Sequence, residues 1–494
     1  MHDSTPPRSP VLRRSFKKDF PAAVRGEGVY LWDSSNKKYL DFSGSAAVNF
    51  IGHGLQKISD AMAEQAAKLE FVHTSQFTTP VAEAYAEELL ALAGENFRGG
   101  AVYFTSGGSE SIETALKLAR QYQVEIGQSR RYQILSRNQS YHGSTLGALS
   151  VSGNQRRREI YFPMIREFAH VGMPYCYRCA FDCTDSCRSC GQQYAAELER
   201  AIEAANGEAA AFIFEPLSGA TLGAVVPPPG YLQSIVEICR RHGVLLIADE
   251  VMTGMGRTGR NFAVEHWLGQ NENEKNSSEK SKNEKNRNEK NAPAEDSTLA
   301  PDILVTAKGL SSGYAPLGAV IASKKVIDAI ASGSGAFLHG FTYNAHPISL
   351  AAGRAVLHHL QSTNLIAAAD SSVANTAAAH LKQALESLRN NDQRSDVIGD
   401  VRGLGLLWAV EFVADQKSKR PFAPELNFAA HVASAAMNRG LLVYPMQGCV
   451  DGISGDHLLL APPAVITKEE IDWSVDQLRA AVDEATSLAV DLRS

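Results

Sequence analysis

The chain has 494 residues, 44% apolar and 21% charged, the composition of a folded globular protein with two to four domains rather than a disordered or fibrous one. Its formal charge of -6 is small for this length, so nothing marks nucleic acid or an anionic membrane as a partner. No apolar run approaches the roughly 18 residues that a membrane span requires.

The first 18 residues carry five Lys/Arg against one Asp, as a transit peptide would, but Pro6, Pro7 and Pro10 interrupt any amphipathic helix there. Residues 1–19 therefore read as a flexible, solvated tail, and the expected location is cytoplasmic rather than mitochondrial. Residues 26–41 (GEGVYLWDSSNKKYLD) read as a hairpin around an Asp-Ser-Ser-Asn turn. Beyond it, short apolar runs alternate with amphipathic helices: AVYFT, YQILS, AAAFIFE, GVLLIADE, DILVTAK and LGAVIAS. Continuous apolar runs between helices predict an α/β fold whose mostly parallel sheet is covered on both faces. Residues 270–298 repeat Asn-Glu-Lys three times and are almost devoid of apolar side chains, so a disordered surface insert is expected. After Leu350 the alanine-rich helical periodicity leads to a strand-like GLGLLWAVEF and closing helices. The resulting organisation is a large domain over 61–345 and a smaller α+β domain made from 20–60 and 346–494.

Chemistry concentrates where those runs end. Asp249 closes LLIAD at the carboxyl end of a strand that must be buried, where α/β sheets hold their ligands, and a carboxylate there requires a cation or donors. A protonated pyridine nitrogen would meet it, though an Asp capping the next element would look the same. Lys308 closes ILVTAK in the same way, and burial favours the neutral amine that forms imines with aldehydes. A lysine snorkelling from a strand end is the plainer alternative. Ser106-Gly107-Gly108-Ser109 lies between the strand AVYFT and a helix, the arrangement of a phosphate site at a helix N-terminus. Tyr141, in Tyr141-His142-Gly143, is placed to stack on a ring or to pack in the core.

Gly254-Met-Gly256-Arg-Thr-Gly259 has dinucleotide spacing, but no long amphipathic helix follows it, so that reading is rejected. The absence of GxxxxGK[ST] and GxSxG argues against NTPase and serine-hydrolase chemistry. Five of the seven cysteines fall between 176 and 190. Cys176, Cys179, Cys187 and Cys190 have spacing able to ligate zinc, while unliganded thiols or a redox pair in a reducing compartment remain alternatives. No His or Glu beside them suggests a catalytic metal.

Taken together, FTSGGSESIETALKLAR, SYHGSTLGALS, FIFEP, LLIADEVMTGMGRTG, PDILVTAKGLSSGYAPLGAV, HGFTYNAHP and VRGLGL resemble the class III aminotransferases, from about Phe20 to the last helix. The resemblance implies pyridoxal 5′-phosphate (PLP) as cofactor and fold type I, with a seven-stranded sheet. It implies Lys308 as the Schiff-base lysine, Asp249 under the pyridinium, and Tyr141 and Val251 on the two ring faces. Gly108 and Ser109 would hold the phosphate, with His142 and Glu215 also at the cofactor. Thr342 would reach the phosphate of a neighbouring subunit in a homodimer. Arg402, masked by Glu215, would bind a substrate carboxylate, and Phe20 would border the substrate. SGSAAVNF lacks the bulky aromatic that many ω-aminotransferases carry after Ser-Gly, which implies a wider pocket. The expected reaction moves an amino group from an amino acid or amine to a keto acid or other carbonyl acceptor. Decarboxylation or amino-group mutation on the same scaffold, and a catalytically dead PLP-binding protein, are the competing readings.

Overall fold

A computed structural model describes residues 9–16, 18–181, 187–268, 300–366, 372–389 and 396–491. The start of the tail and the 270–298 insert lie outside these residues.

The first three strands, β1 (Ala23–Glu27), β2 (Tyr30–Asp33) and β3 (Lys38–Asp41), form an antiparallel ribbon. Asp33 fixes the turn between β2 and β3: its Oδ1 accepts the Ser35 and Lys37 N–H groups at 2.9 and 3.0 Å. Seven strands then build the main sheet. They are β4 (Ala101–Thr105), β5 (Gln133–Arg137), β6 (His170–Val171), β7 (Ala209–Phe214), β8 (Leu245–Asp249), β9 (Ile303–Thr306) and β10 (Gly318–Ala322). Their order is β4-β10-β9-β8-β7-β5-β6. Only β10 runs antiparallel to its neighbours; the other pairings are parallel.

Every residue of β7, β8, β9 and β10 is buried. Their side chains alternate between two cores, as a two-residue period demands. Ile213, Ile247, Val305 and Val320 face one core. Phe212, Leu246, Leu304 and Ile321 face the other. The helix Tyr231–His242 turns Leu232, Ile235, Val236 and Cys239 inward, and Gly243 ends it in a left-handed conformation.

Toward the C-terminus come β11 (Ile398–Leu404), β12 (Leu407–Phe412), β13 (Leu441–Leu442), β14 (Tyr444–Gln447) and β15 (Asp456–Leu460). β11, β12, β15 and β14 make an antiparallel sheet in that order. β13 instead pairs parallel with β3, so strands from the two ends of the chain share one sheet. The Gly254–Gly259 loop is packing structure. A Cβ on Gly256, at φ +91°, would clash with Ile366, and the neighbouring Arg257 donates to the carbonyls of Asn49, Ala461 and Pro462.

Candidate active site

The carboxyl ends of β4, β5, β7, β8 and β9 lie on one edge of the main sheet, because β10 is reversed relative to both β4 and β9. The segments leaving those ends enclose a cavity of about 570 Å³. Ser106–Ser109, Tyr141–Gly143, Glu215, Asp249, Val251 and Lys308 all line it.

Asp249 is 6% exposed at the last position of β8. Its Oδ2 lies 2.8 Å from His142 Nδ1, and its Oδ1 accepts the Val251 N–H at 3.1 Å. The His142 ring is fully buried and its Nε2 has no hydrogen-bond partner among the described residues. One residue beyond the Ala307 that follows β9, Lys308 adopts φ +42°, a left-handed conformation that costs a non-glycine residue energy and is concentrated at functional sites. Burial pushes its amine down to about 8, against the pull of Asp249 and Glu215.

The helix Gly108–Glu125 starts directly after β4, and no side chain caps its N-terminus. Exposed N–H groups and the helix dipole there favour an anion. Small residues are obligatory around it. A Cβ on Gly108 would touch Val251 Cγ1 at 3.0 Å, and one on Gly143, at φ +140°, would lie 2.6 Å from Ser109 Oγ. Ser109 Oγ accepts the Ser144 N–H at 3.0 Å, tying the helix to the segment that carries Tyr141. The Tyr141 hydroxyl is 2.9 Å from Ser144 Oγ, and the Arg157 guanidinium covers its ring at 4.5 Å. Glu215 Oε1 accepts the Gly219 N–H at 2.9 Å, Oε2 has no hydrogen-bond partner among the described residues, and burial raises the carboxyl above its ordinary range.

Opposite chemistry comes from the small-residue segment. Gly44, Ser45, Ala46 and Ala47 all have positive φ, a left-handed turn secured by Asp41, whose carboxylate accepts from Ser43 and Ser45. Ala46 from this turn lines the cavity where a bulky aromatic would have narrowed it.

Three expected residues do not line the cavity of their own chain, which for Thr342 agrees with a role toward a neighbouring subunit. Phe20 is 50% exposed, beneath the Arg13 guanidinium, and does not line the cavity. Thr342 is exposed at the start of the turn 342–345, outside the cavity of its own chain. Arg402 requires a correction, because its guanidinium is already committed. Nε donates to the Gly223 carbonyl at 2.6 Å, Nη1 to Asp400 at 3.1 Å and Glu411 at 2.8 Å, and Nη2 to the Leu222 carbonyl. Its plane lies over Tyr175, and it does not pair with Glu215. As placed, Arg402 holds the wall behind the cavity and offers no fork to a substrate.

Two cavity arginines escaped the sequence reading. Arg157 belongs to the run Arg156-Arg157-Arg158, and Arg14 to the tail expected to be solvated. No carboxylate among the described residues is within ion-pair distance of Arg157. The basic run after Tyr141-His142-Gly143 was the signal available, but sequence does not say which of three arginines faces inward. Arg156 reaches Gln447 and Arg158 stacks on Phe162.

Comparison with known proteins agrees with this geometry. The family described as aminotransferase class-III matches residues 14–272 and 292–482. The uncharacterized aminotransferase YodT of Bacillus subtilis is 37% identical over 465 residues, covering 94% of this chain and 95% of its own. The diaminobutyrate–2-oxoglutarate transaminase of Halomonas elongata is 32% identical, covering 96% and 93%. Among solved structures, an amine transaminase from an uncultivated Pseudomonas species in its PLP-bound form superposes with a TM-score of 0.82 at 32% identity, covering 97% of this chain and 99% of that one. The chain belongs to the class III aminotransferases. It is an enzyme of the PLP fold type I that performs PLP-dependent transamination.

Proposed function

We propose that Lys308 Nζ is the amine that attaches PLP and moves the proton during amino-group transfer, with Asp249 facing the ring nitrogen. The observation that carries this reading is the convergence of Asp249 and Lys308, from the carboxyl ends of the adjacent parallel strands β8 and β9, on one cavity that an uncapped helix N-terminus also borders. The residues present fit the group. There is a helix N-terminus that no side chain caps, although Glu110 takes the Ser106 N–H beside it, a buried carboxylate for a ring N–H, a lysine whose amine is pushed down to about 8, and a volume in the range of cofactor pockets.

When bound, PLP supplies a carbonyl that captures the substrate's amino group and a ring that stores the electron pair released at the substrate carbon. The chain's part is binding and proton control. Backbone N–H groups at Gly108 and Ser109 would hold the phosphate, Tyr141 and Val251 would hold the ring, and His142 holds the Asp249 carboxylate in place. Asp249 would stabilise a protonated ring nitrogen through charge, and Lys308 Nζ would accept and return the proton at the reacting carbon. Glu215, which lines the cavity, would border the substrate.

The acceptor is a keto acid whose carboxylate meets Arg157, with Arg14 from the N-terminal segment as a second cation. Two cavity-lining guanidiniums support this, as does the 2-oxoglutarate named for the Halomonas relative. The active unit is a homodimer in which the exposed Thr342 of one subunit reaches the phosphate site of the other, and the location is cytoplasmic. No described helix is long and apolar enough to cross a membrane.

The test is product analysis with purified holoenzyme and a panel of amine donors. Keto product formed in equal amount to aminated acceptor supports the reading. Release of carbon dioxide without a keto product, or a rearranged amine, contradicts it.

A further inference from the structure

Cys176, Cys179, Cys187 and Cys190 take no part in the chemistry above, yet three of their thiols come together. Cys176 sits in the short 3-10 turn Cys176–Arg178, and Cys187 and Cys190 lie at the start of the helix Arg188–Ala204. The Sγ atoms of Cys176, Cys187 and Cys190 all lie within 4.8 Å of one another. Cys179 lies outside this three-way cluster, and the next residue, Ala180, donates its N–H to the Tyr194 hydroxyl at 3.1 Å. The second pair is folded back on itself: Cys187 adopts φ +50°, and Cys190 Sγ donates to the Cys187 carbonyl at 2.9 Å.

We propose that Cys176, Cys187 and Cys190, with Cys179 as fourth ligand, form a structural zinc site. Two Cys-x2-Cys pairs on separate elements are the ligand pattern of closed tetrahedral zinc centres, where sulfurs at ~2.3 Å from the metal stand about 3.8 Å apart. The three thiols within 4.8 Å need only small side-chain rotations to reach that geometry, and Cys179, three residues from Cys176, turns in to complete it, whereas a disulfide would use two of the thiols and strand the others. Binding is balanced by proton release: each of the four thiols gives up its proton to solvent and the metal takes four thiolates. Four sulfur ligands leave no open position, so the metal has no catalytic part.

Its place in the fold gives it a purpose. Tyr175, just before the first ligand, donates its hydroxyl to Glu411, and Arg178, between the first two, donates to the same carboxylate at 2.7 Å. Glu411 in turn anchors Arg402, which holds the Leu222 and Gly223 carbonyls behind the cavity residue Ala220. Zinc fastens the loop that feeds this network.

The experiment measures metal in full-length holoenzyme expressed in zinc-supplemented medium. The expected result is about one zinc per chain, falling to background in Cys187→Ser and in Cys176→Ser but kept in Cys239→Ala, whose thiol is buried elsewhere. Because a ligand variant can fail to fold, wild-type holoenzyme is also titrated with an organomercurial in the presence of a chromogenic chelator. Release of zinc in step with blocked thiols supports the site. Cobalt substitution giving thiolate charge-transfer and tetrahedral visible bands supports it too. Wild-type protein with under about 0.1 zinc per chain, zinc unchanged in Cys187→Ser, or loss of free thiols to disulfide without metal would overturn it.

Discussion

His142 Nδ1 lies 2.8 Å from Asp249 Oδ2, and both side chains are buried at the carboxyl end of β8. The imidazole and the Val251 N–H occupy one position on each carboxylate oxygen, so the carboxylate cannot rotate away from the cavity. Asp249→Asn removes the charge that stabilises a protonated ring nitrogen and is expected to lower kcat/KM by at least ~100-fold, since uncoupling such a buried charge-assisted pair costs about 2–5 kcal/mol. His142→Phe acts through Asp249 and costs less, about tenfold in cofactor affinity. Equilibrium dialysis against PLP, run beside apoenzyme melting curves, checks this. Equal losses of affinity and melting temperature would make His142 a packing residue only.

The pH dependence follows from Lys308. The neutral amine is the species that captures an aldehyde, so the capture rate rises with pH and levels off above the amine's folded pKa. With that pKa at about 8, half the amine is neutral at pH 8, against about one part in three hundred for an ordinary lysine. Stopped-flow addition of PLP to apoenzyme is therefore expected to show half-maximal capture near pH 8. A midpoint near the ordinary 10.5 would mean that burial does not act on this amine.

Arg402 and Arg157 should separate cleanly. Arg402→Lys takes donors from Glu411 and two carbonyls while Arg178 and Tyr175 still meet Glu411, and losing such charge-assisted bonds costs about 1.5–3 kcal/mol of stability. Its effect on turnover should be the same for keto-acid and simple aldehyde acceptors. Arg157→Gln should raise KM for keto acids by about 10–100-fold and leave aldehydes nearly unaffected, as expected for a lost carboxylate contact. Matched steady-state kinetics decide; a selective keto-acid defect in Arg402→Lys would restore that residue to substrate binding.

The family match stops at 272 and resumes at 292. Deleting residues 273–291 should change activity by less than about twofold, because loop-closure entropy varies slowly with length. A tenfold loss of activity on deletion would show that the segment contacts substrate or a partner.

Much of this architecture was written in local sequence. Continuous apolar runs such as LLIAD and ILVT name buried strands because both faces of β8 and β9 are covered, and the polar residue that breaks each run marks the strand's carboxyl end. Asp249, Lys308 and the Ser106–Ser109 turn were legible for that reason. β6 was not, because two residues carry no period. Arg402 misled because a motif fixes its backbone position in β11, while its partners Glu411, Leu222 and Gly223 lie on other elements. Arg157 and Arg14 were missed because the direction of an arginine in a basic run is set by tertiary contacts such as the Tyr141 ring. The left-handed turn at Gly44–Ala47 was equally hidden, since Ser and Ala do not advertise positive φ.

The central claim is that Lys308 carries the cofactor. Holoenzyme reduced with borohydride, digested and mapped by mass spectrometry tests it directly. The account predicts one pyridoxyl-phosphate mass addition per chain, on the peptide containing Lys308, and none in Lys308→Ala, which should still fold and bind PLP without turnover. Modification of a different lysine in the native enzyme, or transamination at a wild-type rate by Lys308→Ala, would contradict it.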